Sequence, residues 1–339
     1  MRIAVLFGGI SEERDVSVSS GAQVVQALET AGHDVVAIDT ARGVLGPAER
    51  ERLVATGVAL AQPSETELSV VRRDAASLVS RIPDLRDVDV VFIALHGGSG
   101  EDGTVQALFD LAGIPYTGTG HLGSAYAMDK DVSKRLFRAA GVPTPDWLMT
   151  PVTPEDVTAG LGFPVVVKPN KQGSTVGLTI VRRAEGLPPA IEIASGFDDE
   201  VMVECFVPGR ELTVGILEGA ALAVGEIRPR LHEIFDYASK YQTGGAEESF
   251  PADLPMETTR LVRDAGLAAH HAVKAGIYSR VDFRLDHAGQ PWCLEVNTVP
   301  GMTRTSLLPQ SAQAAGIGFP ELCDRICRAA VASYRRKVR

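Results

Sequence analysis

A chain of 339 residues, 45% hydrophobic and 22% charged, has ordinary globular proportions, and its length exceeds what one core usually supports, so two or three domains are expected. The net charge of −10 argues against nucleic acid as the main partner, because phosphate-backbone binding wants a basic surface; an anionic substrate would need a locally basic pocket. Cys205, Cys293, Cys323 and Cys327 form no C-x-x-C pair and read as core thiols. Met1 to Phe7 runs straight into glycines and acids without the long apolar region of a signal peptide, and no later stretch is apolar enough to span a bilayer, so a cytoplasmic setting with no membrane partner is expected.

Ile3 to Phe7 is a short apolar run ended by Gly8-Gly9, Val16 to Ala27 carries helical spacing before Gly32, and Val35 to Ile38 reads as the next strand. This β-loop-α-β opening implies a parallel sheet with ligand at the strand C-termini. The loop from Gly8 to Ser17 lacks the G-x-G-x-x-G spacing of a dinucleotide site; its acids suit the start of a helix, and Glu13 could equally hold an ammonium. Residues 42–87, interrupted by prolines and charges, read as short helices and loops. Val88 to Leu95 is the clearest strand here, delivering His96-Gly97-Gly98-Ser99-Gly100-Glu101-Asp102-Gly103 before an apolar helix, Thr104 to Ala112. His96, Glu101 and Asp102 occupy the position of site residues, although a single histidine is more often structural.

A helix around Ser124 to Ala140 stops at Gly141-Val142-Pro143, and Phe163 to Lys168 is a strand followed by the glycine-rich turn Gly173-Ser174-Thr175-Val176-Gly177 and a strand, Leu178 to Val181. Strand, glycine loop and strand form a nucleotide clamp distinct from a P-loop. Lys168 closes an apolar strand, where its charge needs a partner, and suits a phosphate; Lys130 by pattern alone is as readily a solvated residue. Glu204 and Glu211 flank a Pro-Gly break that suits a hinge reading an adenine edge and ribose hydroxyls, though an acid at a turn is more often merely solvated. Strands Leu212 to Leu217 and Ala221 to Ile227 lead into a long polar segment, 231–253, whose Asp236-Tyr237-Ala238-Ser239-Lys240-Tyr241 and Gly244-Gly245 suit a closing flap. A helix, Glu257 to Gly276, follows.

From Ser279 to Thr298 the alternation folds into a hairpin around Asp286, Gly289 and Pro291. Pairing Leu285 with Trp292, Phe283 with Leu294 and Val281 with Val296 sets Asp282 across from Glu295 and Arg280 across from Asn297 on the other face. Two carboxylates on a strand pair are more often a solvated outer face, but here they share that face with Arg280 and Asn297 and precede the turn Pro300-Gly301-Met302. Positions two apart on a strand lie roughly 6.6 Å apart, so Asp282, Glu295 and Asn297 suit two hard cations at the ~3.5–4 Å spacing of two-metal chemistry. Oxygen-only ligands point to magnesium or manganese.

Taken together, these motifs resemble the D-alanine–D-alanine ligases of the ATP-grasp superfamily from Ile3 to about Arg325. The segment His96 to Gln106 is similar to that family's first signature and Glu295 to Met302 to its second. The resemblance implies an α/β, ATP-grasp fold with a Rossmann-like amino-terminal domain (1–120), a small central α+β lobe (121–206) and a larger carboxy-terminal α+β lobe (207–339). It implies ATP-dependent joining of two D-alanines through an acyl phosphate, for peptidoglycan precursors, in a homodimer. The rivals are an acceptor such as D-lactate, D-serine or a secondary-metabolite amino acid, and a nucleotide-binding sensor without catalysis. By resemblance Lys130, Lys168 and Lys240 contact the ATP phosphates, Glu204 and its neighbours the adenine, Glu211 the ribose, and Asp282, Glu295 and Asn297 two magnesium ions. Glu13 holds the first D-alanine's ammonium near His96, Ser306 the second D-alanine's carboxylate, and Arg280 with the Gly301 amide the tetrahedral oxyanion. Ser174 and Tyr241, with Glu13, tie the flap over the site. Thr175, Ile277, Arg284 and Val299 depart from the family pattern, and Arg284 replaces an apolar residue on the expected metal face.

Overall fold

The computed structural model describes residues 1–11, 13–46, 48–49, 78–229 and 245–337. Three sheets form among them. In the first, β1 (Arg2–Phe7) is followed by α1 (Arg14–Thr30), β2 (Asp34–Asp39), the short β3 (Gly43–Val44) and β4 (Val90–Ile93), with β1 parallel to β2 and β4. A strand buried on both faces reads as a continuous apolar run, and β1 does so: Ile3, Val5 and Phe7 enter one core, Ala4 and Leu6 another. The carboxyl ends of β1 and β4 deliver the Gly8-Gly9 and His96-Gly97 loops to one edge. Helix α2 (Thr104–Ala112) then follows.

The expected helix Ser124 to Ala140 is instead two, α3 (His121–Met128) and α4 (Lys130–Ala139). Asp129 interrupts it because its carboxylate caps α4, accepting from Val132 N at 3.0 Å, and also accepts from Asn170 Nδ2 at 2.9 Å. The second sheet is antiparallel, in the order β5 (Trp147–Met149), β8 (Val201–Cys205), β6 (Val165–Pro169) and β7 (Thr179–Val181). Between these strands α5 (Pro154–Gly160) and α6 (Leu187–Ser195) supply Val157, Leu187, Ala190 and Ala194 to its core. The third sheet runs β11, β10, β9, β12, β13: β9 (Arg210–Leu217), β10 (Ala220–Pro229), β11 (Ala246–Ser249), β12 (Tyr278–Leu285) and β13 (Pro291–Asn297). Strand β11 lies within the segment expected to be polar loop. Lys240 and Tyr241 of the expected flap, and residues 50–77, lie outside the described residues.

Helix α7 (Met256–Ala272), together with α4, covers the apolar face of that sheet through Val262, Ala269 and Phe137. Then α8 (Leu307–Ala314) and α9 (Phe319–Lys337) close the chain, and α9 returns to the first sheet, its Leu322, Cys323, Ile326 and Cys327 sharing a core with Ile3, Val5 and Phe7.

The β12–β13 hairpin follows the expected register at Arg280–Asn297, Val281–Val296 and Asp282–Glu295, then departs from it. Phe283 faces Cys293, Arg284 faces Trp292 and Leu285 faces Pro291, leaving Leu294 as the extra residue of a bulge. The pairs Phe283–Leu294 and Leu285–Trp292 are therefore wrong. Physical chemistry favours the exchange: the Trp292 indole N–H finds Asp286 Oδ2 at 2.9 Å outside the core, while the Cys293 thiol fits inside without needing a partner.

The amino-terminal and third sheets meet at Gly276, whose N–H donates to Thr119 Oγ1 at 2.9 Å; a Cβ there would lie 2.1 Å from the Gly118 carbonyl oxygen. Gly276→Ala is expected to destabilise the protein by about 3 kcal/mol, and an unchanged urea midpoint would show that this junction tolerates displacement.

Candidate active site

The alternation of β12 sets its polar residues on one wall. Asp282 accepts from Arg280 Nε at 2.9 Å and Nη2 at 2.8 Å, from Thr213 Oγ1 at 2.7 Å and from Asn297 Nδ2 at 3.0 Å. Glu295 lies on the same rung, and Lys130 Nζ approaches its Oε2 to 3.5 Å. Among the described residues no group of three or more His, Cys, Asp or Glu is placed to hold a metal. The candidate set is therefore two carboxylates and an amide, all offering oxygen, which suits a hard divalent cation rather than zinc.

Beside this wall, a cleft of about 130 Å³ lies between the second and third sheets. Lys130 and Lys168 both line it, Lys130 donating to the Gln172 carbonyl at 2.6 Å on the approach to the glycine loop. Lys168 has the partner its burial demands: Glu204 Oε2 at 2.8 Å. Glu204 is 2% exposed, and its other oxygen accepts from Lys134 at 2.5 Å, with Lys134 donating also to Thr144 Oγ1 at 2.6 Å. Burial alone would raise the Glu204 carboxyl, but the two ammonium groups hold it below the usual carboxylate range. The side chain of Glu204 is thus engaged with lysines, and an adenine edge would fall to the backbone after it. Lys134 was not singled out from the sequence; a lysine among the apolar positions of α4 is its only trace there. Glu211 and Arg284 line the far end, and the bulged Leu294 supplies an apolar wall.

A second cavity, of about 310 Å³, opens on the other side of Arg280. Glu13 and Ser174 lie at its rim, with Ser174 Oγ donating to Glu13 Oε1. Ser174 and Thr175 adopt positive φ of 50° and 65°, a conformation that side chains rarely hold outside functional loops. His96, 3% exposed, is fixed on both ring nitrogens, Nδ1 to Val299 O at 2.9 Å and Nε2 to Ser20 Oγ at 3.0 Å. Beside it burial pushes the Glu101 carboxyl up, against the pull of His96. Gly301 and Ser306 form the opposite wall; the Ser306 hydroxyl accepts from Thr303 N at 3.1 Å at the start of α8. Glu248, absent from the expected set, lines this cavity too, bonded to Gln310 and with its carboxyl raised by burial, while the buried Ser20 supports it through His96. Gly173, Ser174 and Arg280 line both cavities, so the two volumes meet there.

The chain matches two family models, D-ala D-ala ligase N-terminus over residues 2–119 and D-ala D-ala ligase C-terminus over residues 136–328. It is 42% identical over 328 residues to a D-alanine–D-alanine ligase from Geobacter sulfurreducens, covering 96% of this chain and 92% of that one. With a D-alanine–D-alanine ligase from Gloeobacter violaceus it shares 43% identity, covering 96% and 98%. Among solved structures, it is similar to the D-alanine–D-alanine ligase from Bacillus anthracis complexed with ATP, with a TM-score of 0.80, 33% identity and 99% of each chain covered. The VanG D-Ala:D-Ser ligase from Enterococcus faecalis superposes with a TM-score of 0.79 at 30% identity, covering 97% and 99%. The fold is the ATP-grasp fold of these enzymes. Matched in both halves and along nearly its whole length, the chain belongs to the D-alanine–D-alanine ligase family.

Proposed function

We infer that the protein is an ATP-dependent ligase that joins two D-alanines, releasing ADP and phosphate, in the supply of peptidoglycan precursors. The observation that carries this reading is the meeting of a lysine-lined cleft and a carboxylate- and serine-lined cavity at Arg280. A nucleotide in the first and amino acids in the second would bring the γ-phosphorus to the acceptor carboxylate. The family resemblance extends the reading to a cytoplasmic homodimer, with domain boundaries near residues 120 and 206.

Lys130 and Lys168, with Lys240 from the flap, offset the phosphate charge. Glu204 holds Lys168 at the cleft, and Lys134 balances Glu204 so that Lys168 is not drawn wholly into a buried pair. The backbone after Glu204 borders the adenine and Glu211 the ribose. Asp282, Glu295 and Asn297 would hold two magnesium or manganese ions, which when bound offset charge on the γ-phosphoryl group and on departing ADP. Glu13 receives the first D-alanine's ammonium, near His96. A carboxylate oxygen of that D-alanine then attacks the γ-phosphorus, the bond to ADP breaks, and D-alanyl phosphate results. Ser306 orients the second D-alanine through its carboxylate. Its amine, having lost a proton, attacks the acyl carbon; Arg280 and the Gly301 N–H stabilise the oxyanion, whose collapse expels phosphate. Ser174 donates to Glu13; by the family resemblance Tyr241 would join this pair in tying the flap over the site, and closure would keep water from the acyl phosphate.

Phosphate release measured with ATP and Mg²⁺ across D-alanine, D-serine and D-lactate, with products identified by mass, is expected to give D-alanyl-D-alanine; no D-alanine-dependent release would reject the reading. Glu295→Gln is expected to lower turnover roughly a hundredfold or more with the fold intact, and wild-type turnover would remove Glu295 from the metal set. Lys134→Met is expected to cost about 2–3 kcal/mol of stability, the scale of a charge-assisted hydrogen bond, and to raise the KM for ATP; an unchanged urea midpoint and KM would show that Lys168 and Glu204 need no second cation.

A further inference from the structure

Arg284 lines the nucleotide cleft but faces no expected phosphate site, and its surroundings are more specific than those of a solvated charge. On β12 it stands opposite Glu211 of β9, and the bulge at Leu294 brings Trp292 opposite it on β13. Its side chain is 13% exposed, and that of Glu211 15%. Nε donates to the Val207 carbonyl at 3.1 Å, Nη2 to the Gly209 carbonyl at 2.9 Å, and Nη1 lies 3.5 Å from Glu211 Oε2. The guanidinium carbon is also 5.8 Å from the centre of the Phe206 ring.

Val207 and Gly209 belong to the link between β8 and β9, the strand-to-strand connection that joins the second and third sheets. That link lies directly on β12: Gly209 has φ of 133°, and a Cβ there would be 2.0 Å from the Leu285 carbonyl oxygen. One planar guanidinium therefore grips two backbone carbonyls of the link and points its remaining edge at an acid. A lysine, offering a single compact charge, could not reproduce this three-way geometry.

We propose that Arg284 is a positioning residue for nucleotide recognition: it fixes Glu211 to accept from the ribose hydroxyls and holds the link beside the base. This rests on the reading of Glu211 as the ribose acid. A carboxylate already oriented loses less freedom when the nucleotide binds, and the gain appears only with ligands that carry the hydroxyls.

The test compares kcat/KM for ATP with that for 2′,3′-dideoxy-ATP, which has the same base and phosphates but neither hydroxyl. The wild-type chain is expected to prefer ATP by about tenfold or more, the scale of one charge-assisted hydrogen bond, and Glu211→Gln to lose most of that preference. Arg284→Met is expected to lose most of it as well, raising the KM for ATP about tenfold while leaving the KM for D-alanine near its original value. Arg284→Lys, which keeps the charge and guards against a variant that fails to fold, should remain impaired. If either Arg284 variant is slower with both nucleotides but keeps the wild-type preference, the arginine is merely structural and the proposal fails. Full preference in the lysine variant would likewise overturn the three-way geometry. Full preference in Glu211→Gln would instead overturn the ribose reading, and the role of Arg284 with it.

Discussion

The two-residue period of β12 is the constraint on which the site depends. Because alternate side chains must point to opposite faces, Val281, Phe283 and Leu285 enter the core beneath α4 and α7, and Arg280, Asp282 and Arg284 are forced together onto the cleft wall. Burying the first set stabilises the sheet; the same act holds the second set in line. Neighbouring strands extend the effect, since β9 supplies Thr213 and Glu211 and β13 supplies Glu295 and Asn297 at fixed rungs. The chemistry is therefore registered by packing rather than by loops, which suits groups that must be held to a fraction of an ångström.

Charge is managed differently in the two cavities. Around the lysine-lined cleft it is concentrated and buried, with Glu204 between two lysines supplied by α4 and β6. Such a trio is costly to desolvate, and its value lies in what its net positive charge does to an approaching polyanion. In the cavity beside Glu13, charge is dispersed among Glu13, Glu101, Glu248 and Arg280, with histidine and hydroxyl groups between them. That arrangement matches small zwitterions, whose two charges must be met separately.

Much of this was legible in the sequence because period and punctuation carry it. The apolar runs of β1 and β6 and the alternation of β12 survive folding unchanged, and Asp282–Glu295 and Arg280–Asn297 face one another as that alternation requires. The remainder was hidden for identifiable reasons. A bulge costs a single residue and leaves no compositional mark, so alternation alone puts Leu294 and Trp292 on the wrong faces. Asp129 stops a helix by capping the next one and is also held by Asn170, which lies 41 residues on in sequence but within 2.9 Å in space. Lys134 looks like any helical lysine until Glu204 closes over it. The roles of Lys240 and Tyr241 rest on resemblance, since both lie outside the described residues.

The return of α9 to the first sheet has a bearing on how the protein comes into being. Ile3, Val5 and Phe7 lie on β1, yet Leu322, Cys323 and Ile326, which share their core, lie on α9, separated from them by most of the sequence. During synthesis the βαβ unit must wait with part of one apolar face uncovered until α9 has been translated. Contacts of such long sequence separation slow folding and prolong the exposure of sticky surface. The amino-terminal sheet thus precedes α9 in synthesis but needs it to complete its core, a constraint that bears on folding rather than on catalysis.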